Sequence, residues 1–111
     1  MFDQIYQDQR VLARHRDGPL AEERCRYLAH WAEQQMSPVT LQHIARYTLV
    51  ITDALRLAER PGELITRKEI DAEANRRVAE RRKRRMLTVR FTGFAIRWLT
   101  FLGRLQLPVL S

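Results

Sequence analysis

Residues 76–90 hold the densest concentration of chemically active side chains in the chain. They read Arg76-Arg77, then Arg81-Arg82-Lys83-Arg84-Arg85, then Arg90, eight cations against the single acid Glu80. The remaining residues carry twelve basic and twelve acidic side chains, so the formal charge of +7 resides in this one window. A localised positive potential of this kind points to a polyanion, most often a phosphate backbone. Arginine is suited to that role because its planar fork of donors grips phosphate oxygens or a guanine edge in bidentate fashion. The plain alternative is a solvated helix end whose charge only keeps the protein soluble. Arg97 and Arg104 follow Arg90 at steps of seven, which extends the positive strip along one helix face. Here the alternative is an ordinary solvent face whose arginine stems cover apolar surface.

A second set, Thr40, His43 and Arg46, lies at the start of another expected helix, about one turn apart. Residues at a helix N-terminus commonly reach base edges in a major groove, and these three types suit base and phosphate contacts. An exposed polar face is the alternative for each of them singly. Catalytic chemistry is poorly supplied. His15, His30 and His43 lie far apart and lack a metal-ligand partner at helical spacing, and there is no Gly-rich phosphate loop. Glu22-Glu23 and Asp71/Glu73 read as helix N-terminal carboxylates opposing the dipole. Cys25, the only cysteine, falls on an apolar stripe and reads as a small core residue. No metal, cofactor or small-molecule substrate is expected.

The elements that must position these residues read as helices. With 111 residues, four Gly and four Pro, the chain suits one domain of few, long elements. Residues 1–18 are weakly patterned and read as an N-terminal arm. Ala21, Cys25, Leu28, Ala32 and Met36 mark a helix over 19–36 that starts at Pro19. Ser37-Pro38 caps a second helix over 39–59, apolar on more than one side, which Pro61-Gly62 ends. Thr66 and Glu69 have the capping-box form before a third helix over 66–82, whose thin apolar face is Ile70, Ala74 and Val78. A last helix over 86–105 is expected to bury Phe91, Phe94, Ala95, Trp98, Leu102 and Leu105, with Phe101 at the flank. Its opposite side carries Arg90, Gly93, Arg97, Thr100 and Arg104. The expectation is thus an all-α fold of four helices with no strands, a domain over 19–107 and a tail over 108–111. No uninterrupted apolar run is long enough to span a membrane, and the N-terminus lacks a signal-peptide pattern, so a soluble cytoplasmic protein is expected.

Four stretches in this order resemble a known family. They are Val11-Leu12-Ala13-Arg14-His15-Arg16 followed by Pro19-Leu20-Ala21-Glu22-Glu23-Arg24; Ser37-Pro38-Val39-Thr40-Leu41; Leu64-Ile65-Thr66-Arg67-Lys68-Glu69-Ile70; and Phe91, Ala95, Trp98-Leu99 with Phe101-Leu102-Gly103. Together they resemble the N-terminal core-binding domain of the tyrosine recombinase (phage integrase) family, in its transposon-type site-specific integrase branch, over about residues 10–105. The resemblance implies a SAM-like orthogonal helical bundle that clamps one side of double-stranded DNA, with homo-oligomers forming on the DNA. It implies DNA approach by the second helix, through Thr40, His43 and Arg46, and by the fourth, through Arg84, Arg85, Thr88 and Arg90. The family's cleavage chemistry belongs to a second domain, which this chain is expected to lack, its linker expected to begin near Leu107. The spacing of His43-Ile44-Ala45-Arg46 matches a His-x-x-Arg element of that catalytic domain, but in the wrong order along the chain, and reads as chance. The expectation is therefore a non-catalytic DNA-binding module with a role in recombination or integration. The alternative is a helical interaction or self-association module that docks an acidic partner. A membrane-surface role for the arginine-lined last helix is a weaker third idea.

Overall fold

The computed structural model describes residues 2–81 and 85–106, and of residues 78–81 and 85–88 the backbone alone. The all-α class is observed. The helices are α1 (Phe2–Ile5), α2 (Gln9–Asp17), α3 (Ala21–Ala32), α4 (Pro38–Ala54), α5 (Arg67–Arg81) and α6 (Arg85–Leu102), with a 3-10 turn at Leu57–Glu59. Among the described residues the only β-type pairing is one isolated bridge, Ile65 to Leu105. Among the described residues there are two more α-helices than the four expected, because residues read as an arm are helical. Asp8 starts α2 by accepting the amides of Arg10 (2.8 Å) and Val11 (3.4 Å). The chain clusters into two compact units, Met1–Ala58 and Glu59–Ser111.

In the first unit α3 packs on α4, and α1 and α2 close on them. Ser37 caps α4 by accepting the Thr40 amide at 3.2 Å, and Pro38 occupies the first turn, where no intrahelical donor is lost. The buried stripe of α4 is Leu41, Ile44, Ala45, Thr48, Ile51 and Thr52. Its two threonines are tolerated because each hydroxyl donates to its own helix, Thr48 to the Ala45 carbonyl and Thr52 to the Thr48 carbonyl. The helix ends earlier than expected, at Ala54, where Arg56 adopts a left-handed backbone (φ 53°) and the chain tightens into the 3-10 turn. Helix α3 likewise starts two residues late, after Leu20 at φ 52°, and ends at Ala32.

Within this unit lies a buried arginine. Arg24 has no exposed surface, and among the described residues no carboxylate pairs with it. Its Nε donates to the Pro19 carbonyl at 2.8 Å, one terminal nitrogen donates to the His15 carbonyl at 2.6 Å, and the other lies 3.2 Å from His15 Nδ1. The guanidinium sits over the Phe2 ring, 5.1 Å from its centroid. Burial pushes the guanidinium below its ordinary pKa, an effect that Cys25 and Glu23 oppose. His15 is itself buried, with Phe2 on one side (5.1 Å between centroids) and Tyr6 stacked at 4.9 Å. Tyr6 donates to the Gln42 carbonyl and Gln42 to the Ile5 carbonyl, which pins α1 to α4. These polar bonds act with the buried Phe2, Ile5 and Leu12 to hold a short, charge-rich segment in place.

In the second unit α5 packs on α6. Gly62 takes φ 77°, the left-handed turn that Pro61-Gly62 announces. The Thr66 hydroxyl accepts the Glu69 amide at 3.1 Å, so half of the expected capping box forms. The other half does not, because the Glu69 carboxylate pairs with Arg60. Replacing Thr66 with Ala should cost about 1 kcal/mol of stability, the ordinary loss for such a cap, read from the shift of a urea unfolding midpoint. Ile65 donates to the Arg104 carbonyl at 2.7 Å, and Gln106 donates to the Ile65 carbonyl at 2.9 Å, which ties the segment after α6 to the segment before α5. The buried face of α6 is Phe91, Thr92, Ala95, Trp98 and Leu99. This corrects the expected face: Phe94, Leu102 and Leu105 are half-exposed, and Leu99 is fully buried. Leu107 and the tail over 108–111 lie outside the described residues.

Candidate nucleic-acid interface

The two units differ sharply in charge. Residues 1–58 hold seven basic and seven acidic side chains, whereas residues 59–111 hold thirteen basic and six acidic, so the second unit carries the whole +7. Five of those six acids precede Arg76 in the sequence. Glu63 and Glu69 both pair with Arg60, Asp71 pairs with Arg67 at 3.0 Å, and Glu73 pairs with Arg76. Arg76, the first cation of the basic window, is therefore compensated: its Nε lies 3.1 and 3.2 Å from the two Glu73 oxygens, one helical turn back.

Past Glu73 the described arginines change partners. Arg77 lies over the Phe91 ring at 5.7 Å, and Arg97 lies over the Phe94 ring at 5.2 Å. Arg90 and Arg97 are exposed, Arg77 half so. Among the described residues none of these three has a carboxylate within ion-pairing distance. Ring contacts hold the guanidinium groups of Arg77 and Arg97 in place without a carboxylate partner among the described residues. Arg104 does not continue the strip. Helix α6 ends at Leu102, Gly103 turns the chain at φ 70°, and Arg104 donates to the carbonyls of Glu63 (3.0 Å) and Arg60. Spacing by seven aligns residues only while the helix lasts.

The chain matches no family model, no curated protein and no solved structure. The site therefore rests on its own residues.

Of the expected DNA-contacting side chains, Arg90 and Arg97 lie together on the solvent side of α6. Arg82, Lys83 and Arg84 lie outside the described residues, as do the side chains of Arg81, Arg85 and Thr88. Thr40, His43 and Arg46 belong to the first unit. His43 and Arg46 are exposed on α4, while Thr40 is drawn into the helix cap, its hydroxyl 2.9 Å from Ser37 Oγ. Sequence reasoning placed Arg77 in the basic window without singling it out as a contact, and it missed Phe94 as a surface residue. The signal for both was available: Arg77 stands one residue past the last paired position of α5, and Phe94 stands four residues after Arg90. Among the described residues no group of three His, Cys, Asp or Glu side chains is arranged to hold a metal ion, and no helix is long and apolar enough to cross a membrane.

Proposed function

We propose that this chain is a non-catalytic DNA-binding module of the kind found at the N-terminus of tyrosine recombinases, acting in DNA recombination or integration in the cytoplasm. Its partner is double-stranded DNA, on which copies assemble, and it takes no cofactor. One observation carries the reading: the second unit holds all the net charge, and its acids Glu63, Glu69, Asp71 and Glu73 are consumed by Arg60, Arg67 and Arg76, upstream of Arg77, Arg90 and Arg97, which have no carboxylate partner among the described residues. A polyanion is the partner that such a field attracts, and releasing its condensed counterions supplies the driving force. The order of the four recombinase-like motifs supports the narrower choice of DNA over other polyanions.

The test is titration of a labelled duplex with the full chain at several salt concentrations. Binding should weaken steeply with salt. Replacing Arg82, Arg84 and Arg85 together by Ala should lower the slope of log affinity against log salt by about 3, roughly one for each phosphate no longer neutralised. An unchanged slope would show that the basic window is not the contact surface. Light scattering without DNA separates the second reading, in which the module associates with itself or an acidic protein.

A further inference from the structure

We infer that the solvent strip of α6 formed by Arg90, Phe94, Arg97 and Phe101 stacks unpaired bases of a polynucleotide. The inference rests on the reading of the second unit as a nucleic-acid module and names what this face adds to it. These four residues recur at steps of four, three and four, so they share one line along the helix. Phe101 is 42% exposed, high for a large aromatic side chain. Its ring is not loose: it lies 13° from parallel with Trp98, centroids 6.2 Å apart, and Trp98 is fully buried. Arg97 is laid over the Phe94 ring, which turns a flexible cation into a planar surface. Beside Arg97 lies Gly93, where an added Cβ would meet only the Arg97 terminal nitrogen, at 3.8 Å. That gap lets a sugar or phosphate approach the helix backbone.

The chemistry of the strip selects its ligand. Cations answer phosphates, and the exposed part of the Phe101 ring answers a base face. Apart from the two arginines, residues that read base edges are scarce beside it, since the Thr100 hydroxyl is turned to the Ile96 carbonyl at 2.6 Å. Recognition here is therefore tolerant of sequence. In a duplex the base faces are already covered by their neighbours, so phenylalanine rings meet an open face only where bases are unpaired. A protein partner of opposite charge would satisfy Arg90 and Arg97 but gives no role to the ring pairing.

The experiment uses the full chain and three labelled probes: oligothymidylate of about twelve nucleotides, within the site size of single-strand binders, the same length of abasic backbone, and a duplex. Oligothymidylate should bind on the order of tenfold tighter than the abasic strand, the scale of one stacked base. Phe101→Leu keeps apolar volume and removes the ring; it should erase that preference while leaving abasic and duplex affinities and the melting midpoint unchanged. Phe101→Trp should retain the preference. Equal binding of the two single strands, or an equal loss on both in Phe101→Leu, overturns the inference while leaving the duplex reading intact. Failure of every probe to bind overturns both. Loss of a DNA-independent dimer in Phe101→Leu, with the base preference unchanged, reassigns the strip to self-association and also overturns the inference.

Discussion

Replacing Arg24 with Ala is expected to lower stability by about 4 kcal/mol, a large fraction of what holds a domain of this size together. Three bonds disappear at once: two to backbone carbonyls and one to His15 Nδ1. Those acceptors are wholly or partly buried, and leaving each one unsatisfied costs about 1–3 kcal/mol. A cavity under the Phe2 ring adds to the loss. The gain from no longer burying a cation offsets part of this, which is why the total falls short of a simple sum. Arg24→Lys should not rescue the fold. An ammonium group lacks the fork that spans Pro19, His15 and Nδ1 together, and its hydration is stronger. Urea unfolding followed by circular dichroism checks both variants. A loss under about 1 kcal/mol for Arg24→Ala would mean that the turn between α2 and α3 holds without its arginine.

That arginine also shows where sequence reasoning stops. The stripe of α4 was legible because Leu41, Ile44 and Ile51 recur at helical spacing, and each is buried, whereas of the stripe expected for α3 only Leu28 is buried, with Ala21, Cys25 and Ala32 half-buried and Arg24 and Tyr27 taking the core. The starts of α4 and α5 were legible from Ser37-Pro38 and Thr66, whose hydroxyls do cap them. Helices α1 and α2 were not, because their few core residues Phe2, Ile5 and Leu12 make no regular stripe and share the core with His15 and the buried cation Arg24, residue types that a hydrophobic count assigns to the surface. The face of α6 was misjudged for a different reason. Phe91, Phe94, Ala95, Ile96, Trp98, Leu99, Phe101 and Leu102 surround much of the helix, so periodicity alone does not say which side meets α5.

For the site, the charge asymmetry was fully legible, and the Glu73–Arg76 pair follows from i, i+3 spacing. The Arg60–Glu69 pair was not legible, since it depends on how the Pro61-Gly62 turn brings nine residues of chain back on itself. Arg104 was misplaced on the strip because heptad spacing was carried one residue past the point where Gly103 ends the helix.

Acid is expected to loosen the first unit through His15. His15 Nδ1 faces an Arg24 nitrogen at 3.2 Å, and arginine has only donors, so the imidazole accepts there and is neutral. Burial lowers the pKa of His15 to about 4, with the charges of Arg24 and Arg14 acting in the same direction. In the unfolded chain the same ring titrates near its ordinary value of 6.5. Between those two values the unfolded state holds a proton that the folded state refuses. Stability from this group is therefore complete above pH 6.5 and drains as the pH falls toward 4, by about 3 kcal/mol in all. The upper part of that window, above about pH 5, lies clear of ordinary carboxylate titration. His15→Asn keeps an acceptor oriented toward Arg24 and removes the titration. Urea midpoints for the wild type should fall between pH 6.5 and about pH 5, whereas those for His15→Asn should stay level. A wild type as flat as the variant would mean that His15 takes its proton without leaving the fold. Arg24 would then have to give up the imidazole nitrogen and keep only its two carbonyls, and the Phe2 ring would have to tolerate two cations against it.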